Sequence, residues 1–419
     1  MKFRFKKVGF VFIQKVIVIF LVFSLGVILG AKYRVEEFIP FFDLENKKIN
    51  FSLVNASQPS EYKDVNFAQF WEVWSILEKD YLDNKKLNPQ KMVQGAIGGM
   101  TSALGDPYTM YLPPADDKRA AESLAGSFYG VGIELGYIKN TIAVVAPLKG
   151  MPAETAGVKA GDLILHVKDE SKNLDEDTTG WTLNDAVDKI RGKKGSKVLL
   201  TLFRPDENNQ SFDLEVKRDE IVIPSVELSF IERDGKQVAH LVLSRFGDRT
   251  KDEWDEAVEK ILQKQKELAG ILLDLRNNPG GYFEGSIDVA SDFIDNDVVV
   301  SQEGKYFSQD YRSEGEARLK NLPLLVLVNR GSASASEIVA GALRDDLGAK
   351  LIGENTFGKG TVQDRRELAD GGGLHVTVAK WILPKGSWIH ETGIKPDIEV
   401  KDDAATEADE VIERAMQEL

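Results

Sequence analysis

The 419-residue chain has no cysteine. That excludes thiol nucleophiles, thiolate-bound metals, a lipid-bearing N-terminal cysteine and disulfide stabilisation. Histidine is scarce: His166, His240, His375 and His390 are the only four, and none sits in a compact polar motif. A serine–histidine arrangement has no convincing base to draw on. Positive charge is in deficit, with 53 Lys and Arg against 67 Asp and Glu, giving a net charge of −14. No nucleic-acid partner is expected for so acidic a chain. The acids are spread along the sequence, which reads as solubility. Neither a metal nor a cofactor is expected.

What is present begins at the N-terminus. Lys2, Arg4, Lys6 and Lys7 precede an apolar stretch broken by Lys15, after which residues 16–31 carry no charge. Residues 8–31 are long enough to cross a bilayer with Lys15 snorkelling. The basic flank, 1–7, would stay cytoplasmic and the rest would be exported to the periplasm or cell exterior. Leu29-Gly-Ala matches the small-x-small cleavage pattern poorly, so an uncleaved anchor is the better reading. Residues 32–62 are polar and aperiodic, a tether. Phe67, Phe70, Trp71, Trp74, Leu77 and Tyr81 then recur at helical spacing, and are expected to form core. A second helix covers 92–104, and Asp106-Pro-Tyr-Thr makes a turn before a charged hinge at 113–124.

Residues 331–337 read Gly-Ser-Ala-Ser-Ala-Ser-Glu, between an apolar strand-length run, 322–328, and an Ala-rich helical run, 338–343. A strand-to-helix turn of this kind lifts a hydroxyl out of the fold beside the N–H groups of a helix N-terminus, where negative charge is favoured. Helix capping by serine is the plain alternative. The residues alone leave Ser332, Ser334 and Ser336 open. Further on, Lys359 lies between two glycines, a setting that permits close backbone approach. A serine nucleophile with a lysine base is a known variant of triad logic. An ordinary lysine titrates near 10.4, so bringing it to about 7–8 takes desolvation of roughly 3–5 kcal/mol. No acid should then lie beside the amine. The nearest in sequence are Glu354 and Asp364, five residues away on either side. Glu337 is explained as a first-turn acid facing the helix macrodipole.

Segments 274–281, 331–345 and 353–363 resemble the signature blocks of the carboxyl-terminal processing peptidases, or tail-specific proteases, over roughly residues 67–400. The resemblance implies a Ser-Lys serine endopeptidase acting through an acyl-enzyme, with Ser334 as nucleophile, Lys359 as base and Gln363 orienting the lysine. The four-residue spacing of Lys359 and Gln363 suits one face of a helix or strand. An oxyanion hole would use the N–H of Ala335 and that of Gly280, with Gly281 the alternative. The order of elements in 118–218, with Pro152-Ala-Glu-Thr-Ala-Gly-Val-Lys-Ala-Gly-Asp, resembles a PDZ domain. Such a domain binds substrate C-termini by strand addition, here at Val131, Gly132, Ile133 and Glu134, with Arg191 as a further contact or a plain helix cap.

The expected fold is mixed α/β. A transmembrane helix leads to a helical segment, 63–117, then the inserted PDZ domain and a protease core, 219–400, which the resemblance implies is crotonase/ClpP-like, closed by a C-terminal helix in 401–419. The core's last strands are expected at 374–383, 388–391 and 396–400. Partners would be unfolded or tail-exposed proteins, the membrane and a second copy of the chain. A crotonase-type acyl-CoA enzyme and an inactive PDZ scaffold are the rival readings.

Overall fold

The computed structural model describes residues 42–43, 48–49, 65–205, 210–233, 235–402, 406 and 408–419. The anchor at 8–31 and its basic flank lie outside them. Among the described residues no helix is long and apolar enough to cross a membrane. Within the expected tether, Phe42–Asp43 pairs antiparallel with Lys48–Ile49.

Residues 1–89 form one unit and residues 90–419 another. In the first, helix Ala68–Asp80 carries the aromatic stripe, but none of its residues is buried and Trp71 is 59% exposed. The expectation of core there is corrected. Helical periodicity reveals a sticky face without showing what covers it.

The second unit is built on a six-stranded sheet. Val226–Arg233 runs antiparallel to Lys236–Leu243; Leu268–Asp274, Leu324–Val328, Lys350–Gly353 and Ile398–Glu399 follow in parallel. Parallel strands need cover on both faces. Helices Thr250–Lys264, Phe283–Ser291 and Ala335–Leu347 contribute to the large core on one side. Helix Glu410–Glu418 covers the other, with Val411, Ala415 and Met416 packed among Leu272, Leu325 and Ile352. A second sheet joins Ser308–Arg312, Val298–Gly304, Gly373–Ile382 and Thr361–Glu367, with Met110–Leu112 added to the third. Residues 388–391 are loop, not strand. Trp388 there stacks on His390 and its indole N–H donates to the Gly360 carbonyl at 2.9 Å, so apolar residues at alternating spacing serve a loop.

The second unit also holds a small domain. Its sheet runs Ser211–Lys217, Lys197–Phe203, Leu163–Asp169, Thr141–Pro147, Ile133–Ile138, which leaves Ile133–Ile138 at an edge near helix Leu183–Ile190. Strands Ser127–Gly130 and Asp219–Val222 close its stem. The stretch read as a hinge is a helix, Pro114–Ala125, opened by Pro at its first position and closed by Gly126 at φ 65°. That pairing of start and stop residues marks a helix in the sequence itself, whatever its charge.

Candidate active site

Three neighbouring parallel strands, Leu268–Asp274, Leu324–Val328 and Lys350–Gly353, end at one edge of the sheet. Each hands on a loop there: the Pro279-Gly-Gly turn, the serine turn and the Lys359 loop. The carboxyl ends of parallel strands are where such folds place their sites.

The serine turn separates its three serines. Ser332 and Ser336 are fully buried. The Ser332 hydroxyl donates to the Leu275 carbonyl at 2.8 Å, and that of Ser336 lies 2.8 and 2.9 Å from the carbonyls of Ala333 and Asn278. Ser334 is half-buried, with φ 56° and ψ −116°. Non-glycine residues avoid that conformation, and folds that enforce it do so at functional sites. Ser334 and Ala335 line a cleft of about 950 Å³ together with Lys359, Gln363 and Gly281.

Burial pushes the Lys359 amine below the ordinary lysine value, while Asp106 and Glu337 pull it back up. The expectation of no nearby acid is therefore corrected: the acids arrive from distant segments, not from Glu354 or Asp364. Asp106 belongs to the Asp-Pro-Tyr-Thr turn, whose Thr109 hydroxyl donates to Asp106 at 2.6 Å and accepts the Thr377 N–H at 3.0 Å. The same turn sets the Tyr108 ring centre 5.0 Å from the Lys359 Nζ. Gln363 donates from Nε2 to the hydroxyls of Thr361 and Thr377 at 3.0 and 3.1 Å. Lys359 precedes strand Thr361–Glu367, and the register shifts between Val362 and Gln363. The four-residue spacing thus does not by itself put the two side chains on one face.

Glu337 is wholly buried and does far more than face a helix dipole. Its Oε1 accepts the Thr356 hydroxyl at 2.6 Å and the Gly358 N–H at 2.7 Å; Oε2 accepts the N–H groups of Ser334 at 2.8 Å and Lys359 at 2.9 Å. One carboxylate ties the serine turn to the lysine loop. Burial pushes its pKa above the ordinary glutamate value against the pull of these donors. The sequence signal was an acid followed directly by the apolar, Ala-rich run of a buried helix.

The glycine turn is seated on the serine. A Cβ at Gly280 would come within 2.8 Å of the Ser334 Cβ and 3.1 Å of the Ala335 nitrogen, and φ there is 98°. Only glycine fits so close an approach. The Gly280 N–H donates to Asn278 Oδ1 at 2.8 Å. Gly281, not Gly280, lines the cleft.

Comparison with known proteins matches these features to a family. The profile of peptidase family S41 matches residues 237–400, a PDZ domain matches 121–202, and an activating protease CtpB N-terminal domain matches 26–115. Carboxy-terminal processing protease CtpB of Bacillus subtilis (strain 168) is 35% identical over 366 residues, 85% of this chain and 73% of the relative. The chain belongs to the carboxy-terminal processing proteases. CtpA of the same organism is 38% identical over 339 residues, 81% of this chain and 70% of that one. Among solved structures, a photosystem II D1 C-terminal processing protease is 31% identical, covering 79% of this chain and 92% of its own, at a TM-score of 0.47. This protease is thus a serine-type carboxy-terminal processing enzyme with a PDZ domain, and neither an acyl-CoA enzyme nor an inactive scaffold.

In the protease's PDZ domain, Val131 and Gly132 are buried, and their carbonyls accept the N–H groups of Ala153 and Leu148 at 2.9 and 3.0 Å. Gly132 has φ 74°. Ile133 and Glu134 begin the edge strand. Arg191 caps the domain's helix, stacks over Phe128 at 3.9 Å and donates to Glu122 at 2.5 Å. Its guanidinium reaches helix Pro114–Ala125 through Glu122. Arg119 of that helix pairs with Asp188 at 2.7 Å, and its Asp117 accepts from Arg365 at 2.9 Å, on the strand that carries Gln363. The linking helix is therefore strapped to the PDZ helix on one side and to the protease sheet on the other.

Proposed function

We propose that Ser334 and Lys359 form the catalytic dyad of an extracytoplasmic endopeptidase that selects unfolded or tail-exposed proteins by their C-terminal ends. The observation that carries the reading is the shared cleft in which the strained serine, the desolvated lysine and the first N–H of a helix converge. Neutral Lys359 takes the Ser334 proton as Oγ attacks the scissile carbonyl. The oxyanion accepts from the Ala335 N–H and, because the Gly280 N–H is held by Asn278, from that of Gly281. Gly280 then serves the close approach. The ammonium returns its proton to the leaving amine, and the same lysine activates the water that hydrolyses the acyl-enzyme. Lys359 reaches the serine by rotation of its own side chain from over Tyr108. Gln363, fixed by two threonine hydroxyls and lining the same cleft, is the residue proposed to orient it. A fluorophosphonate should label the protein at Ser334. Labelling elsewhere, or none, overturns the dyad.

Residues 118–218 act as the PDZ module between the helical segment and the core, residues 219–400. The N–H groups of Val131 and Gly132 have no acceptor among the described residues, which suits a terminal carboxylate beside an edge strand. Two otherwise identical unfolded substrates, one with a free apolar C-terminus and one amidated, should differ about ten- to hundredfold in kcat/KM, since the charge-assisted bonds are worth roughly 1.5–3 kcal/mol. Equal values remove the carboxylate from recognition.

The basic flank and the apolar run at 8–31 support an anchor with the catalytic part outside the cytoplasm. The uncovered aromatic face around Trp71 supports pairing with a second copy. The full chain should fractionate with membranes, and residues 32–419 should be a soluble dimer that Trp71→Asp makes monomeric. A full chain recovered in the soluble fraction, or a 32–419 protein that is monomeric without the substitution, rejects the respective proposal.

A further inference from the structure

We propose that Tyr108 is a positioning residue for the base: the face of its ring favours the ammonium form of Lys359 and so sets the pH at which the lysine can take a proton. The inference rests on Lys359 being the base and deepens that reading by naming what holds the base in its resting form.

The Lys359 Nζ lies 5.0 Å from the centre of the Tyr108 ring, within the distance at which the negative face of an aromatic ring attracts a cation. Two carboxylates, Asp106 and Glu337, also act on the amine, but their oxygens are taken by other donors. Asp106 accepts the Tyr108 N–H at 3.0 Å and the Thr109 hydroxyl at 2.6 Å. Glu337 accepts its four donors from Thr356, Gly358, Ser334 and the Lys359 backbone. The ring is fixed along with the loop it serves. Asp106 holds its backbone, and its centre lies 6.0 Å from that of the His390 ring. His390 Nδ1 accepts the Gly360 N–H at 3.3 Å, and Trp388, stacked on His390, donates to the Gly360 carbonyl. Both backbone polar groups of the residue after Lys359 are thus fastened to the group of rings that Tyr108 joins.

A ring face attracts a desolvated ammonium more strongly than a hydrated one, and burial already acts on Lys359. The ring attracts only the charged form, so it opposes burial, in the same sense as the two acids. The neighbouring titratable groups do not supply this effect. Burial, and then the charges of Glu337, Asp106 and Glu391, push the Tyr108 phenol above the ordinary tyrosine value. It is therefore a neutral ring, not a phenolate, that meets the amine. On strand Gly373–Ile382, His375 is pushed below the ordinary histidine value, chiefly by burial, with Asp117 opposing and the Arg365 and Lys359 charges adding. It is already neutral at pH 7.

The rising limb of kcat/KM against pH reads the base of the free enzyme. Tyr108→Phe keeps the ring face and should leave the limb where the wild type has it. Tyr108→Leu removes the face and should move the limb to lower pH by about half a pH unit or more. Fluorinated phenylalanines incorporated at position 108 keep the ring's shape and drain its negative face. The limb should step down from phenylalanine through a trifluorinated to the pentafluorinated ring, a response that a merely structural ring would not give. A limb that stays put across that series, or moves up in Tyr108→Leu, overturns the proposal. Should the leucine variant misfold, the fluorinated series alone decides. The rate at which a fluorophosphonate labels the protein, followed against pH in Lys359→Ala, separates this result from the dyad. Wild-type labelling with an unchanged limb in that variant sinks Lys359 as the base. A limb lost there but unmoved by fluorination sinks the role of Tyr108 alone.

Discussion

Ser334→Ala and Lys359→Ala each lower kcat by about 10⁴-fold or more, with the fold intact. The magnitude follows from removing the nucleophile or its base, which leaves only binding and oxyanion stabilisation. The fold survives for different reasons. Alanine keeps the Cβ of Ser334, so the backbone at φ 56° gains no new strain. Lys359→Ala removes a buried amine whose charged form is disfavoured there, so melting temperature should hold or rise. Gln363→Ala should cost less, since an orienting group tunes the base. The wild-type pH profile carries the same argument. A base must be neutral, so kcat/KM rises with pH through the Lys359 pKa, and burial places that rise below the value of a free lysine. Near-normal hydrolysis by either variant sinks the dyad, and a rate still climbing at pH 10 shows that the base is not desolvated.

The two ends of the functional chain were unequally legible in the sequence. The serine turn, the glycine turn and the lysine loop each follow an apolar strand, and strand-then-turn is written locally. Their convergence depends on those strands being neighbours and parallel, which is tertiary. The same divide explains the errors. Lys359 is isolated from acids along the chain, yet Asp106 reaches it from more than 250 residues away through the Asp-Pro-Tyr-Thr turn. The bulge at Val362–Gln363 breaks a spacing rule that holds for regular strands. The aromatic stripe at 67–81 was correctly periodic, but periodicity cannot distinguish a core face from one awaiting a partner.

Glu337→Gln should lower kcat by about 10²–10³-fold and shift the pH profile to lower pH. Four donors meet the two carboxylate oxygens, and the Thr356 hydroxyl that donates to Oε1 also accepts the Ile394 N–H at 2.7 Å. Glutamine must turn an NH₂ toward two of those donors. Either the Ser334 and Lys359 N–H groups lose their acceptor, or the Thr356 and Gly358 pair does, and each stranded buried donor costs about 1–3 kcal/mol. The serine turn and lysine loop then lose their common tie, and small misplacements of reacting groups are expensive in rate. A purely structural tether would end there. Glu337 also raises the Lys359 pKa through its charge, so neutralising it lets burial depress that pKa further. The rising limb of kcat/KM should therefore move to lower pH in Glu337→Gln, even as its plateau falls. An unmoved or upward-shifted limb would show that the carboxylate positions the loop without setting the protonation of the base.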